Sequence, residues 1–177
     1  PTFAKLDAGT DPTSKLYRFS AVADNAGNID IKQLAFNIVT SGCDVTQTYL
    51  YDPDASSQLT TTKVNPTGNA TSGNVSLLVG AIDDTIETIG ATAKIYEVRG
   101  TVTSFTKNTD TVNVSFSQDT ATGATAGANT VGASSLTTWT TQQGNIWSDR
   151  SASAHTTTTA DWTNGFLLKG MGDAPSF

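Results

Sequence analysis

The chain has a single cysteine, Cys43, among its 177 residues, so no intramolecular disulfide can form. A chain of this length buries enough surface to fold without such staples. Cys43 reads as a small buried apolar residue. Histidine is equally scarce, with His155 alone. Charge is thin: 15% of residues are charged, against about a quarter in ordinary domains. The basic side is thinnest, with ten Lys and Arg scattered against sixteen acids and a net charge of −6. Nucleic acid demands a basic patch to neutralise phosphates, and an anionic membrane surface makes the same demand. Neither partner is expected. No apolar run approaches the roughly 18 residues that would span a membrane, so no membrane span is expected. Phosphate-cradling glycine loops and zinc-type Cys/His spacings are missing too. No charged and apolar leader precedes Pro1, which reads as a leader removed or a piece of a longer chain.

Thr, Ser, Gly, Asn and Ala fill the space that charge leaves. Thr is β-branched and suits a pleated, half-buried surface. Period-2 alternation recurs along the chain. In residues 16–23, Tyr17, Phe19, Ala21 and Ala23 share one face. The turn formers Asp24, Asn25, Ala26, Gly27 and Asn28 follow. Residues 29–39 put Ile29 and Ile31 on one parity and Leu34, Phe36 and Ile38 on the other. A bulge at Lys32-Gln33 would bring both sets inward. These two segments read as a hairpin. Residues 45–51 form another strand, 59–64 a weak one, and 75–79 a short apolar one. Ile82, Ile86 and Ile89 fit either a short strand or one helical turn. Residues 94–102 place Tyr96 and Val98 inward and Glu97 and Arg99 outward, and 111–118 place Val112, Val114 and Phe116 inward. Residues 119–138 are rich in Ala, Thr and Gly and read as a long loop. Residues 145–148 and 166–169 read as closing strands. The expected fold is an all-β antiparallel sandwich, immunoglobulin-like or jelly-roll, of about eight to ten strands with long loops. An extended N-terminal arm over 1–12 precedes a single domain over 13–177.

Catalytic letters are few. Ser148, Asp149 and His155 spell a hydrolase triad, but within one short polar stretch that imposes no triad geometry. Glu87 and Glu97 are the only glutamates, which leaves little for a paired-carboxylate glycosidase. No catalytic residue is assigned, and a secreted hydrolase is the weakest of the functional readings. Calcium is the one cofactor the pattern suggests, because hard cations take clustered loop oxygens. Asp24, Asn25, Asn28 and Asp30 crowd one turn. The same residues make turns without any metal. The three sequons beginning at Asn69, Asn74 and Asn113 are what chance gives in so Thr- and Ser-rich a chain. Trp139, Trp147 and Trp162 would be a sugar platform if exposed in a row, and core residues otherwise.

The most distinctive stretch runs from Ile146-Trp147-Ser148-Asp149-Arg150 through His155 to Ala160-Asp161-Trp162-Thr163-Asn164-Gly165 and Lys169. It resembles the closing motif of large secreted surface proteins from ultrasmall candidate-phyla bacteria. Residues 16–32 and 95–102 look like strands of the same family in the same order. The resemblance covers most of the chain and implies a β-sandwich module of the cell exterior, without supplying an activity. In that light Trp147 and Trp162 are expected to pin a long C-terminal loop onto the sandwich, fixed by Asp149, His155 and Asp161. The expected function is that of an extracellular structural subunit of a filament or S-layer, its partner a second copy. Phe3 and Leu6 on the arm would mediate assembly by adding a strand to a neighbour's sheet edge. The alternative is an adhesin or carbohydrate-binding module of a larger surface protein.

Overall fold

A computed structural model describes residues 1–6, 15–60, 74–79, 87–117, 145–156, 159–165, 168 and 170, with the backbone alone at 74–79 and 164. Its strands are β1 (Thr2–Leu6), β2 (Lys15–Val22), β3 (Ile29–Ser41), β4 (Asp44–Asp52), β5 (Ser57–Gln58), β6 (Asn74–Val79), β7 (Glu87–Ile89), β8 (Lys94–Thr103), β9 (Thr111–Phe116), β10 (Ile146–Ser148) and β11 (Trp162–Asn164). They form two antiparallel sheets. The first, sheet A, has the order β1-β2-β8-β4-β5. The second, sheet B, is built on β3, whose edges carry β6, β7, β9 and β10, with β11 beyond β10. The fold is the expected all-β sandwich. No helix among the described residues is long and apolar enough to cross a membrane.

The alternation places the core. Tyr17, Phe19, Ala21 and Ala23 face Leu34, Phe36, Ile38, Val112, Val114 and Phe116 across the sheets, all of them buried. Six aromatic rings make its centre. Phe19 lies 4.9 Å from Phe116 edge-on, Phe36 stacks on Phe116 at 4.8 Å, and Phe3 closes one side at 5.5 Å. Each such ring contributes about 1.5–3 kcal/mol by leaving water, and edge-to-face pairs add to this. Cys43 is buried in the same cluster, its thiol on Thr111 O.

Two of the three register shifts in the described strands set the faces of β3 and β4. Gln33 and Ile31 of β3 oppose Ile146 and Trp147 of β10, so Lys32 is the extra residue of a bulge. It lies at the expected slip and turns Ile29, Ile31, Leu34, Phe36 and Ile38 all inward. In β4 the register shifts between Thr46 and Tyr49, and Gln47 takes φ 52°. Val45 and Leu50 thereby both reach the core, while Tyr49 and Tyr51 face out.

One expectation is corrected. β2 and β3 are not a hairpin: they lie in opposite sheets, and the Asp24–Asn28 turn carries the chain across the sandwich. Alternation reports which face is buried, and both strands bury theirs inward. The structure places a strand at Trp162–Asn164, and of the expected closing strand over 166–169 only Leu168 is described, buried and outside any strand, while 166, 167 and 169 lie outside the described residues. A short strand forms at Ser57–Gln58, just before the expected weak strand over 59–64, of which only Leu59 and Thr60 are described and neither is in a strand. The long loop over 119–138, Trp139, Asn69, Ile82 and Ile86 lie outside the described residues.

Glycine is required at two close approaches. At Gly42 (φ +75°) between β3 and β4, a Cβ would overlap the Asp110 carboxylate. That carboxylate caps the Thr106 and Lys107 amides at 2.8 and 2.7 Å. At Gly170 (φ +83°) a Cβ would overlap the Phe3 carbonyl, so this part of the C-terminal segment lies directly against β1.

Candidate functional site

Opposed residues on neighbouring strands share a face. Thr88 of β7, Asp30 of β3, Ser148 of β10 and Trp162 of β11 are opposed in turn, one row across four strands. Their neighbours Ile31 and Trp147 belong to the inter-sheet core. The row therefore lies on the outer face of sheet B. The loop between β10 and β11 folds over it and makes a second, polar interior.

His155 is the centre of this junction. Its Nδ1 is 2.7 Å from Asp161 Oδ2, and its Nε2 is 2.9 Å from Asp30 Oδ2. The second contact is at ion-pair distance but out of line with the ring N–H, so Nε2 lacks an aligned acceptor. Only 8% of the histidine side chain is exposed, with 4% for Asp30 and 3% for Asp161. The ring lies 5.2 Å from the Trp162 indole, which is fully buried and donates from Nε1 to Thr156 O at 2.9 Å. Asp30 also accepts from Thr88 Oγ1 at 2.7 Å and from Arg150 Nη1 at 3.3 Å.

Asp161 is the most heavily bonded carboxylate among the described residues. It accepts from Thr159 Oγ1 at 2.5 Å, Ser148 Oγ at 2.9 Å and Ala152 N–H at 3.2 Å, besides His155. Burial pushes its pKa up, but the hydrogen bonds from Thr159, Ala152, Ser148 and His155 outweigh it and hold the carboxyl at about 2. It is therefore ionised across ordinary pH and, as a carboxylate, can only accept. Hence His155 Nδ1 carries a proton toward it.

The arrangement is not that of a triad. Ser148 is fully buried, and its hydroxyl donates to Asp161 while accepting the Arg150 amide at 2.9 Å. Both ring nitrogens of His155 face carboxylates, so neither is turned to a serine as general base.

Of the expected loop-fixing residues, the structure brings together His155, Asp161 and Trp162. Trp147 opposes Thr163 while Trp162 opposes Ser148, so the two indoles project from opposite faces of the sheet. Trp147 packs in the main core and Trp162 alone lies beneath the loop. Asp149 is exposed and bonds only locally, accepting the Ser151 amide at 3.0 Å. Two partners were not foreseen. Asp30, by sequence a candidate calcium ligand of the turn, instead has its carboxylate on Thr88, Arg150 and His155. Asn145, fully buried, accepts the Ala35 amide at 2.9 Å and donates to Ser117 O at 2.8 Å, tying β9 and β10 along one edge of β3.

The proposed calcium turn loses Asp30 in this way. Asp24 accepts the Ala26 amide at 3.1 Å, and Asn25 and Asn28 are exposed. Among the described residues no three His, Cys, Asp or Glu side chains are grouped to hold a metal ion. Beside this turn a cleft of about 420 Å³ is lined by Asp24, Ile29, Trp147, Asp149 and Arg150 among others. On the arm, Phe3 is buried in the chain's own core and Leu6 is half-buried, because Thr2–Leu6 pairs with β2.

Comparison with protein-family models, characterised proteins and solved structures finds no match to the chain. What the fold defines is the class: an all-β, two-sheet antiparallel protein.

Proposed function

We propose that the protein is an extracellular structural subunit that joins copies of itself into a surface filament or layer by trading β1. The observation that carries this reading is the place of β1. It is the edge strand of sheet A, paired over Thr2–Leu6 with β2, and it delivers Phe3 to the aromatic core. Residues 7–14 join it to β2 in sequence. The same register, Thr2 opposite Val22 through Leu6 opposite Arg18, is satisfied equally by β1 of a neighbour, since strand exchange repeats the same contacts between chains. The polar, weakly charged skin suits a packed exterior lattice.

The test is a pair of cysteines at opposed outward positions, Ala4→Cys with Ser20→Cys, in a Cys43→Ala background. Oxidised assemblies should run as a covalent ladder on a non-reducing gel. A single internally cross-linked monomer band from assembled material would sink strand trading.

A second reading, an adhesin or carbohydrate-binding module of a larger surface protein, is favoured by one observation. The outer face of sheet A gathers the basic side chains Lys15, Arg18 and Arg99 beside Tyr49 and Tyr51.

A further inference from the structure

We propose that this outer face of sheet A binds an acidic polysaccharide, one bearing carboxylate or sulfate groups. The proposal rests on the second reading above. Two cross-strand rows build the face. Lys15, Arg99 and Tyr49 are opposed in one, and Arg18, Glu97 and Tyr51 in the next. Glu97 points outward, yet it is only 3% exposed, because the basic side chains close over it. Arg99 engages one of its oxygens, with Nε and Nη2 at 2.7 and 2.6 Å from Oε2. The Arg99 guanidinium lies 3.5 Å above the Tyr51 ring.

Lys15 and Arg18 are in a different position. Their nitrogens are 3.8 and 3.9 Å from Glu97 Oε1, beyond hydrogen-bond reach, and their side chains are 40% and 37% exposed. Arg18 Nε is itself buried beside Glu97 and has no hydrogen-bond acceptor among the described residues. Three of the chain's ten basic residues thus surround one carboxylate, leaving a local excess of positive charge on a chain of net −6. Lys15 and Arg18 thus present cationic side chains to solvent, where an anionic oxygen would meet them. Tyr49 and Tyr51 border them with amphipathic rings, a surface on which the apolar face of a sugar packs. Each exposed ion pair contributes little. Repetition of charge along a polymer supplies the affinity that one small anion would lack.

The experiment measures retention of the whole chain on immobilised polygalacturonate, heparin and neutral dextran at neutral pH, against rising salt. Retention on one or both acidic polymers and not on dextran is expected, despite the protein's own negative charge. The two polymers separate carboxylate from sulfate. Lys15→Ala with Arg18→Ala should lower the slope of log affinity on log salt by about two, roughly one per cation removed. Glu97→Gln should strengthen retention, whereas a purely structural cluster predicts that it weakens or stays unchanged. Thermal melts of both variants establish that each is folded. Retention unchanged by the double substitution overturns the assignment of this face. Equal retention on dextran overturns the acidic ligand and leaves the module reading standing. No retention on any polymer removes both. Self-association without polymer that is lost in the double variant replaces the glycan with a second, acidic copy of this chain.

Discussion

The sandwich has two interiors of opposite kinds. Between the sheets lies an aromatic core in which Phe19, Phe36 and Phe116 touch. Outside sheet B lies the junction of Asp30, His155, Asp161, Ser148 and Trp162, held by directed bonds. The first is non-directional, and substitutions that keep volume and shape are tolerated there. The second is all or nothing, because removing one partner leaves another buried and unsatisfied. The core makes the fold, and the junction decides whether the C-terminal loop stays on it.

That contrast is sharpest at Trp162. Trp162→Ala should cost about 3–5 kcal/mol, as deletion of large buried aromatics does. The loss should centre on the loop between β10 and β11. Hydrogen exchange should rise there first and spare β2, β3 and β9. Equal acceleration in β2 and β9 would mean that the two interiors are one cooperative unit, and the comparison would fail.

Acid should act on the junction before the core. The Asp161 carboxyl is held at about 2, below its ordinary 3.8. A depressed folded-state pKa adds stability that is fully present above the ordinary value and is lost as pH falls through the folded one. The shift corresponds to about 2 kcal/mol, fading between roughly pH 4 and pH 2. Asp161→Asn should be less stable at pH 7 and should flatten the acid limb of the melting curve in that window. An unchanged limb in the variant would place the acid sensitivity elsewhere. The smallest effect is expected at Asp149, exposed and bonded only within its own turn. Asp149→Ala should stay within about 0.5 kcal/mol of the parent, and a larger shift in melting would show that the loop rests on more than the junction.

The aromatic interior was legible because burial on one face leaves a period of two, and even the Lys32 bulge showed itself as a change of parity. Gln47 announced nothing, since a residue without turn chemistry takes the left-handed conformation there. Strand partners were less legible than strand faces, which is why β2 and β3 passed for a hairpin. The junction was half legible. His155, Asp161 and Trp162 stood out as a motif, but Asp30 sits between two inward isoleucines and so faces outward, where a carboxylate is ordinarily solvated. Only the covering loop buries it, and no local pattern reports a cover supplied from the far end of the chain. Glu97 fails in the same way: its face was foreseen, its burial beneath Lys15, Arg18 and Arg99 was not.

If copies trade β1, Gly170 would give that exchange a clock. Its backbone rests against the carbonyl of Phe3 in β1, so β1 can leave sheet A only after that contact opens. If copies are linked through β1, the slow step is then an event within one molecule, first order in protein and insensitive to dilution. Newly made chains would persist singly for a time set by the latch. Once joined they would part just as reluctantly, so the assembled state would outlast the conditions that formed it.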